Sequence, residues 1–358
     1  MTTSLMQEVA ANKPREKAGA HTMARYGFQV HASILKILEV HRTGADYRAV
    51  FDHFDDLMML DRSEQPEKVG FFQIKSQDKG EWTLAALTAK KGKSKPATFL
   101  GRLYHHMDAF GVMVSCLGFV SNLGFKLKLI DGTETTADNL VIPSSQLHPD
   151  VMAVLRGAVA KDGVGNTAVD GSQLFVFERI GLGLIEQDKF VKGALVEFIH
   201  EREDAHYIPV ISLYETLRGS VFTKSGVTEE FTTEAEFYDR KTLSRADVET
   251  MFLRATSGRR FLDNWGTIAG DLTANGMRSR RMIVLKNSCI LYIKARSVGE
   301  PGATAFNAAA RDIIIAHQTE IDSYETLPEI VAQLEKWLPS DYEHREGALY
   351  VESFEAIG

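Results

Sequence analysis

The stretch Val69-Gly70-Phe71-Phe72-Gln73-Ile74-Lys75, read together with Asp52-His53-Phe54-Asp55-Asp56 upstream of it, decides how this chain folds. The first run is apolar almost to its end, the pattern of a strand buried on both faces. Successive strand side chains alternate faces, so Gln73 and Lys75 project from one side and Phe72 and Ile74 from the other. Polar groups in so apolar a strand cost stability unless they have partners or a task. A carboxylate at the end of a neighbouring strand would meet Gln73 and Lys75 on their shared face.

Upstream, Met23, Tyr26, Val30, Ile34, Ile37 and Leu38 recur at three- and four-residue steps, which predicts a helix over about 18–41, ended by Gly44. Tyr47–Phe51 and Leu57–Leu60 read as short strands joined through the acidic segment. Downstream, a lysine-rich stretch (Lys90, Lys91, Lys93, Lys95) closes at Pro96. A helix over 98–110 and strands over 112–119 and 125–130 follow, completing an α/β pattern. Beyond Pro143 helical periodicity dominates, over 146–159, 189–202, 205–219, 244–256, 303–317 and 326–338. Residues 219–233 read as a loop and 281–294 as a strand. Ser244 is placed as a helix N-cap, with Asp247 three residues on. The expected organisation is a flexible N-terminus (1–18), an α/β core (19–143), a helical extension (144–256) and a mainly helical assembly domain (257–358).

With 358 residues, 44% hydrophobic and 25% charged, the chain has the composition of a soluble globular protein. Cys116 and Cys289 lie far apart in apolar runs and read as small buried hydrophobes. The apolar stretch Phe110–Phe125 is broken by Gly111, Gly118, Ser121, Asn122 and Gly124, which argues against a membrane helix. Met1–Arg15 lacks the apolar core of a signal peptide, so the cytoplasm is the expected location. The net charge of -7 is unlike that of a protein that coats DNA non-specifically. It leaves room for a local basic surface beside a catalytic centre, or for a partner that holds the duplex.

For metal-assisted phosphodiester hydrolysis one or two carboxylates plus a carbonyl are sufficient to hold the ion, and a nearby lysine can orient the water. A divalent cation polarises the phosphoryl oxygen and activates water, hard oxygen ligands suit magnesium, and a lysine offsets developing charge. From these residues alone the plainer reading stands equally: Gln73 and Lys75 mark where a buried strand reaches solvent. His105-His106 with Asp108 reads as a solvated helix face, and His21, His31, His41 and His53 as scattered around the first helix and the acidic segment. Lys90–Lys95 and the knot Arg278, Arg280, Arg281 fit either DNA backbone or ordinary solvated surface. Gly181-Leu182-Gly183 lacks a dinucleotide fingerprint, and no Walker A sequence is present.

Ala18-Gly19, Arg25-Tyr26-Gly27-Phe28-Gln29, the Asp52–Asp56 element and Phe72-Gln73-Ile74-Lys75 together resemble the dsDNA-nuclease domain of bacterial antiphage effectors. Such domains occur in cyclic-oligonucleotide-triggered (CBASS) effectors and in nucleases encoded beside a HerA-type ATPase. Leu103-Tyr104, Phe119-Val120-Ser121-Asn122 and Leu243-Ser244-Arg245-Ala246-Asp247-Val248 fit the same order. The resemblance spans about 19–256. It implies a restriction-endonuclease-like, PD-(D/E)XK core and a Mg2+- or Mn2+-dependent DNA endonuclease. By the same resemblance Asp56 is the metal-binding aspartate, with Asp55 and Asp52 as further candidates. Gln73 occupies the ligand position two before the lysine, Lys75 is the catalytic lysine, and Gln29 supports the site. Most of the superfamily carries Glu or Asp where Gln73 stands. The partners implied are double-stranded DNA, further copies of the chain and a hexameric HerA-type ATPase, no sensor sequence being recognised after Thr256. The rivals are a cyclic-oligonucleotide-switched effector and a non-catalytic assembly subunit with a degenerate nuclease fold.

Overall fold

A computed structural model describes residues 18–90, 97–162, 170–202, 210–256, 259–297, 299–338, 340–342 and 345–357. The expected flexible N-terminus up to residue 17, and Lys91, Lys93 and Lys95 of the lysine cluster, lie outside the described residues. The chain divides into two compact units, 1–191 with 221–244, and 192–220 with 245–358.

The first unit is a mixed sheet with helices. Helix α1 (Ala18–Arg42) leads into strands β1 (Arg48–Phe51), β2 (Leu57–Leu60) and β3 (Val69–Lys75). These three form an antiparallel meander with Phe51 opposite Leu57 and Leu57 opposite Phe72. After β4 (Trp82–Thr83) come three short helices, α2 (Leu84–Thr88), α3 (Phe99–Tyr104) and α4 (His106–Phe110). They form the crossover to β5 (Val114–Ser121), which pairs parallel with β3. Next follow β6 (Phe125–Lys126), β7 (Val141–Pro143), α5 (Pro149–Lys161) and β8 (Phe175–Arg179). Helices α6 (Gln187–His200) and α7 (Val210–Ser225), most of whose residues belong to the second unit, and α8 (Glu234–Lys241) precede β9 (Thr242–Ser244). The seven-stranded sheet has the order β7-β8-β5-β3-β2-β1-β9, which places β3 at its centre; β4 and β6 pair separately.

The central position explains the apolar run: six of the seven residues of β3 are buried, and Lys75 is half-buried. On one face Phe71 packs with Leu100, Leu103, Met107 and Phe119 from the crossover helices and β5. On the other, Phe72 lies where any side chain at Gly118 would stand, so that glycine is what lets β3 and β5 pair closely. The Lys36 amine of α1 sits 5.3 Å from the centre of the Phe72 ring and pairs with Glu178 of β8 at 2.8 Å. Helix α1 therefore lies along the Phe72 face.

The sheet reaches beyond the expected α/β core of 19–143. Strands β8 and β9 come from the stretch expected as a helical extension (144–256), and both pair with core strands, β8 with β5 and β9 with β1. The single helix expected over 98–110 is two, α3 and α4, broken at His105, and Thr98 caps α3 by accepting the Gly101 N–H. The expected loop at 219–233 begins later, because α7 continues to Ser225. The strand expected over 125–130 is reduced to two residues with isolated bridges beyond it.

The second unit is helical among the described residues. It contains α9 (Arg245–Thr256), α10 (Arg259–Asp263), α11 (Trp265–Ala274), α12 (Ser279–Ser297), α13 (Pro301–Ala316), α14 (Gln318–Ile321), α15 (Leu327–Trp337) and α16 (Arg345–Ile357). The strand expected over 281–294 is a correction: this stretch is α12. Its buried positions Leu285, Cys289, Tyr292 and Arg296 follow the 3.6-residue period, not the alternation of a strand. Arg296 is held by Glu352 at 2.5 Å and Glu355 at 2.6 Å, both from α16. Both cysteines are free thiols, and burial pushes Cys116 up to about 11 and Cys289 up to about 12. Neither thiol is poised to ionise. Among the described residues no helix is long and apolar enough to cross a membrane.

Candidate active site

The β1–β2 hairpin and the end of β3 build the site. The five residues 52–56 join β1 to β2, and Asp52 turns the chain with a left-handed φ of 44°, a conformation that Asp tolerates better than most residues. Its N–H donates to the Asp56 carbonyl at 3.2 Å, closing the loop. Because Leu57 lies opposite Phe72, Asp56 arrives beside Gln73 at the strand end. The Asp56 N–H donates to Asp55 Oδ1 at 3.0 Å and orients that carboxylate toward the same place.

Around these groups the donors converge. Gln73 Nε2 donates to Asp55 Oδ1 at 2.8 Å and to Asp56 Oδ2 at 2.6 Å, bridging the acidic pair. Asp56 Oδ2 also accepts the Ile74 N–H at 2.7 Å and Lys75 Nζ at 3.0 Å. Gln29 Nε2 takes the other oxygen, Asp56 Oδ1, at 2.7 Å. Gln29 precedes Lys36 by seven residues, two turns of α1, so both project from one stripe of the helix. Lys36 lies over the sheet while Gln29 reaches the end of the strand.

The electrostatics lean negative. Burial is the largest influence on Asp56 and raises its carboxyl; Asp55 raises it further, while Lys75, the Ile74 N–H and Gln73 pull it down. Two nearly buried carboxylates face one lysine, with side-chain exposures of 12% for Asp56 and 29% for Lys75. Such a pair gains from a further positive charge.

The structure thus brings together Asp55, Asp56, Gln73, Lys75 and Gln29. It does not bring Asp52 to them: Asp52 is exposed, and among the described residues its carboxylate joins none of these hydrogen bonds. The turn that it makes points it elsewhere.

Sequence reasoning missed His106. Instead of facing solvent it is 7% exposed, and its Nε2 lies 3.0 Å from Asp55 Oδ2. Three histidines of the first helix and the acidic segment make other contacts, and the His21 side chain lies outside the described ones. His31 pairs with Gln187, His41 with Tyr47, and His53 packs against Phe54, Phe231 and Phe237. The sequence signal was the helical spacing of Phe99, Leu103, Met107 and Phe110, which gives this stretch an inward face without placing His106 on it. A small cleft of about 320 Å³ opens beside the cluster, lined by Arg25, Gln29, Ile74, Lys75, Ser76, Trp82 and Phe99.

The family model described as Cap4, dsDNA endonuclease domain, matches residues 17–225, more than half of the chain. The chain belongs to this family. No curated protein and no solved structure matches it. The matched interval holds Gln29, Asp55, Asp56, Gln73, Lys75 and His106, together with every strand of the sheet except β9. Membership of the Cap4 nuclease family supports DNA endonuclease as the class of activity and antiviral defence as its setting. The mixed seven-stranded sheet with helices is compatible with an α/β nuclease core.

Proposed function

We propose that this Cap4-type chain hydrolyses double-stranded DNA at a PD-(D/E)XK-like, metal-dependent centre formed by Asp55, Asp56, Gln73 and Lys75. The observation that carries the reading is the single amide of Gln73 within hydrogen-bond reach of both carboxylates, with the Lys75 amine on the second of them. The donor set fits a hard divalent cation. One oxygen of each carboxylate, Asp55 Oδ1 and Asp56 Oδ2, lies against the Gln73 amide, which carries a carbonyl oxygen of its own as a third donor. Oxygen donors of this kind suit Mg2+ or Mn2+. Asp52, expected as a further ligand, has no place in this set.

When bound, the ion would polarise the phosphoryl oxygen and lower the pKa of an attacking water. The chain's own residues supply the rest. Lys75, held beside Asp56, orients a water next to that carboxylate and offsets the charge that builds on the phosphate. Gln29 fixes the second oxygen of Asp56, so this carboxylate presents one geometry. Arg25, exposed on α1 one turn before Gln29, lines the same cleft as Lys75 and is suited to a DNA phosphate. Plasmid incubated with Mg2+, with EDTA, and with the Lys75→Ala protein tests the reading. Cleavage confined to the Mg2+ sample of the native chain supports it. Equal cleavage by Lys75→Ala overturns it and favours the non-catalytic subunit.

For activation we propose that the helical unit docks further copies of the chain and a hexameric HerA-type ATPase. Exposed apolar side chains on that unit support this, among them Leu253 at 67% and Ile315 at 71%. So does the net charge of -7, which leaves a lone chain poorly equipped to hold a polyanion. A second reading, a switch by a cyclic oligonucleotide, draws on a cleft of about 680 Å³ in the helical unit, lined by Arg296, Thr304, Asn307 and Arg311 among others. Cleavage that starts only when a HerA-type ATPase is added favours the first. Cleavage started by a cyclic nucleotide alone favours the second.

A further inference from the structure

From the crossover helices a titratable side chain, His106, reaches the acidic pair, and the proposed chemistry does not use it. It opens α4, directly after the break at His105 that separates this helix from α3. Its imidazole stacks on Phe71, with centroids 4.1 Å apart and planes 16° from parallel, and meets the edge of Phe54 at 6.4 Å. Phe71 precedes Gln73 by two residues on β3 and so shares its face. The row Phe71, Gln73, Lys75 along the strand is thereby matched by an overlying row of His106, Asp55 and Asp56. Asp55 is gripped from both sides. Its Oδ1 accepts from Gln73 and from the Asp56 N–H, and its Oδ2 faces His106 Nε2 at 3.0 Å.

We infer that His106 is a positioning residue for the metal centre, donating from Nε2 to Asp55 Oδ2 and fixing the angle at which Asp55 Oδ1 faces the ion. The inference rests on the metal-dependent reading above. A carboxylate on a five-residue hairpin loop has rotational freedom. The histidine, stacked on a buried phenylalanine, removes it without touching substrate. Partners of this kind, one shell out from a metal, are typically worth 10–100-fold in metal affinity or activity. They also act through the ligand they hold, so the effect disappears when that ligand is disabled.

The test uses the full chain and Mn2+ binding measured by calorimetry without DNA, alongside plasmid cleavage across a Mg2+ titration. His106→Phe keeps a ring on Phe71 and removes the donor. His106→Gln keeps a side-chain N–H of similar reach. The expected result is a Mn2+ dissociation constant and a half-activating Mg2+ concentration raised about 10–100-fold in His106→Phe, and restored to within about threefold of the native chain in His106→Gln. Thermal melting in EDTA reports folding separately. If His106→Phe proves too unstable to measure, His106→Ala decides, tested alone and in the Asp55→Asn background: it should weaken Mn2+ binding on its own and change nothing further beside Asp55→Asn. Native-like Mn2+ binding by folded His106→Phe overturns the inference, as does a further loss from His106→Ala on top of Asp55→Asn. A native chain that binds Mn2+ no better than Asp56→Asn overturns instead the metal-dependent reading beneath it, and the inference with it.

Discussion

Replacing Gln73 by glutamate places a third carboxyl where an amide now satisfies two. Gln73 Nε2 lies 2.8 Å from one carboxylate oxygen and 2.6 Å from another, and the residue is 8% exposed. Without metal, an ionised glutamate there would face two like charges at contact, each repulsion worth about 4 kcal/mol at an effective dielectric of 20. Lys75 offsets part of this. The protein has a cheaper escape, which is to keep the new carboxyl protonated. Holding a glutamate of ordinary pKa about 4.3 neutral at pH 7 costs at most about 3.7 kcal/mol, from 1.36 kcal/mol for each pH unit. That ceiling is equivalent to a fall of about 7–15 °C in melting temperature for a unit of this size. A divalent ion turns the penalty into a ligand, so saturating Mg2+ should return most of the loss and raise the melting temperature of Gln73→Glu far more than that of the native chain. The assay is thermal melting at pH 7 in EDTA and in Mg2+. A variant that melts with the native chain in EDTA, or that gains no more from Mg2+ than the native chain does, would refute the reasoning.

Four further outcomes are expected. Lys75→Ala, partly exposed and outside the core, should lose at least about 100-fold in plasmid cleavage while its melting temperature stays within a few degrees of native. Arg25→Ala should weaken DNA binding at every sequence and reduce the slope of log affinity against log salt by about one, as measured by fluorescence anisotropy. Lys36→Met strands Glu178 as an uncompensated buried charge and should cost about 3–5 kcal/mol by urea unfolding, whereas Lys36→Met with Glu178→Leu should recover most of it. Because burial and Asp55 hold the Asp56 carboxyl above the ordinary aspartate range, the folded chain binds this proton more readily than the unfolded chain does. Ionised Asp56 therefore costs metal-free stability above that range, and the cost is relieved as pH falls through its raised value. Cleavage at limiting Mg2+ should accordingly decline on the acid side at a higher pH than cleavage at saturating Mg2+.

That these side chains converge was partly legible because most of them are local, while the roles given to them came from the family resemblance. Asp55 and Asp56 sit on the hairpin next to β3, and the interrupted apolar run of β3 announced Gln73 and Lys75. Gln29 came only through family likeness, since nothing in the periodicity of α1 distinguishes it. His106 was illegible, because its contact with Asp55 spans 51 residues and depends on the chain breaking at His105. In the fold, β8 escaped notice for a related reason. Its buried Glu178 interrupts the apolar run, and the partner that neutralises it, Lys36, is 142 residues away. Strand β9 has only three residues, too few for a period to show. Helix α12 looked like a strand because exposed Ile283, Val284 and Leu291 blur its buried stripe, one member of which is an arginine.

The most direct measurement is an anomalous difference map from crystals of the native chain soaked in Mn2+. The expected result is a peak bounded by the carboxylates of Asp55 and Asp56 and by Oε1 of a turned Gln73 amide, with the Lys75 amine close by. A strong peak held by other residues, or bound Mn2+ that leaves the Gln73 amide still donating to both aspartates, would contradict it.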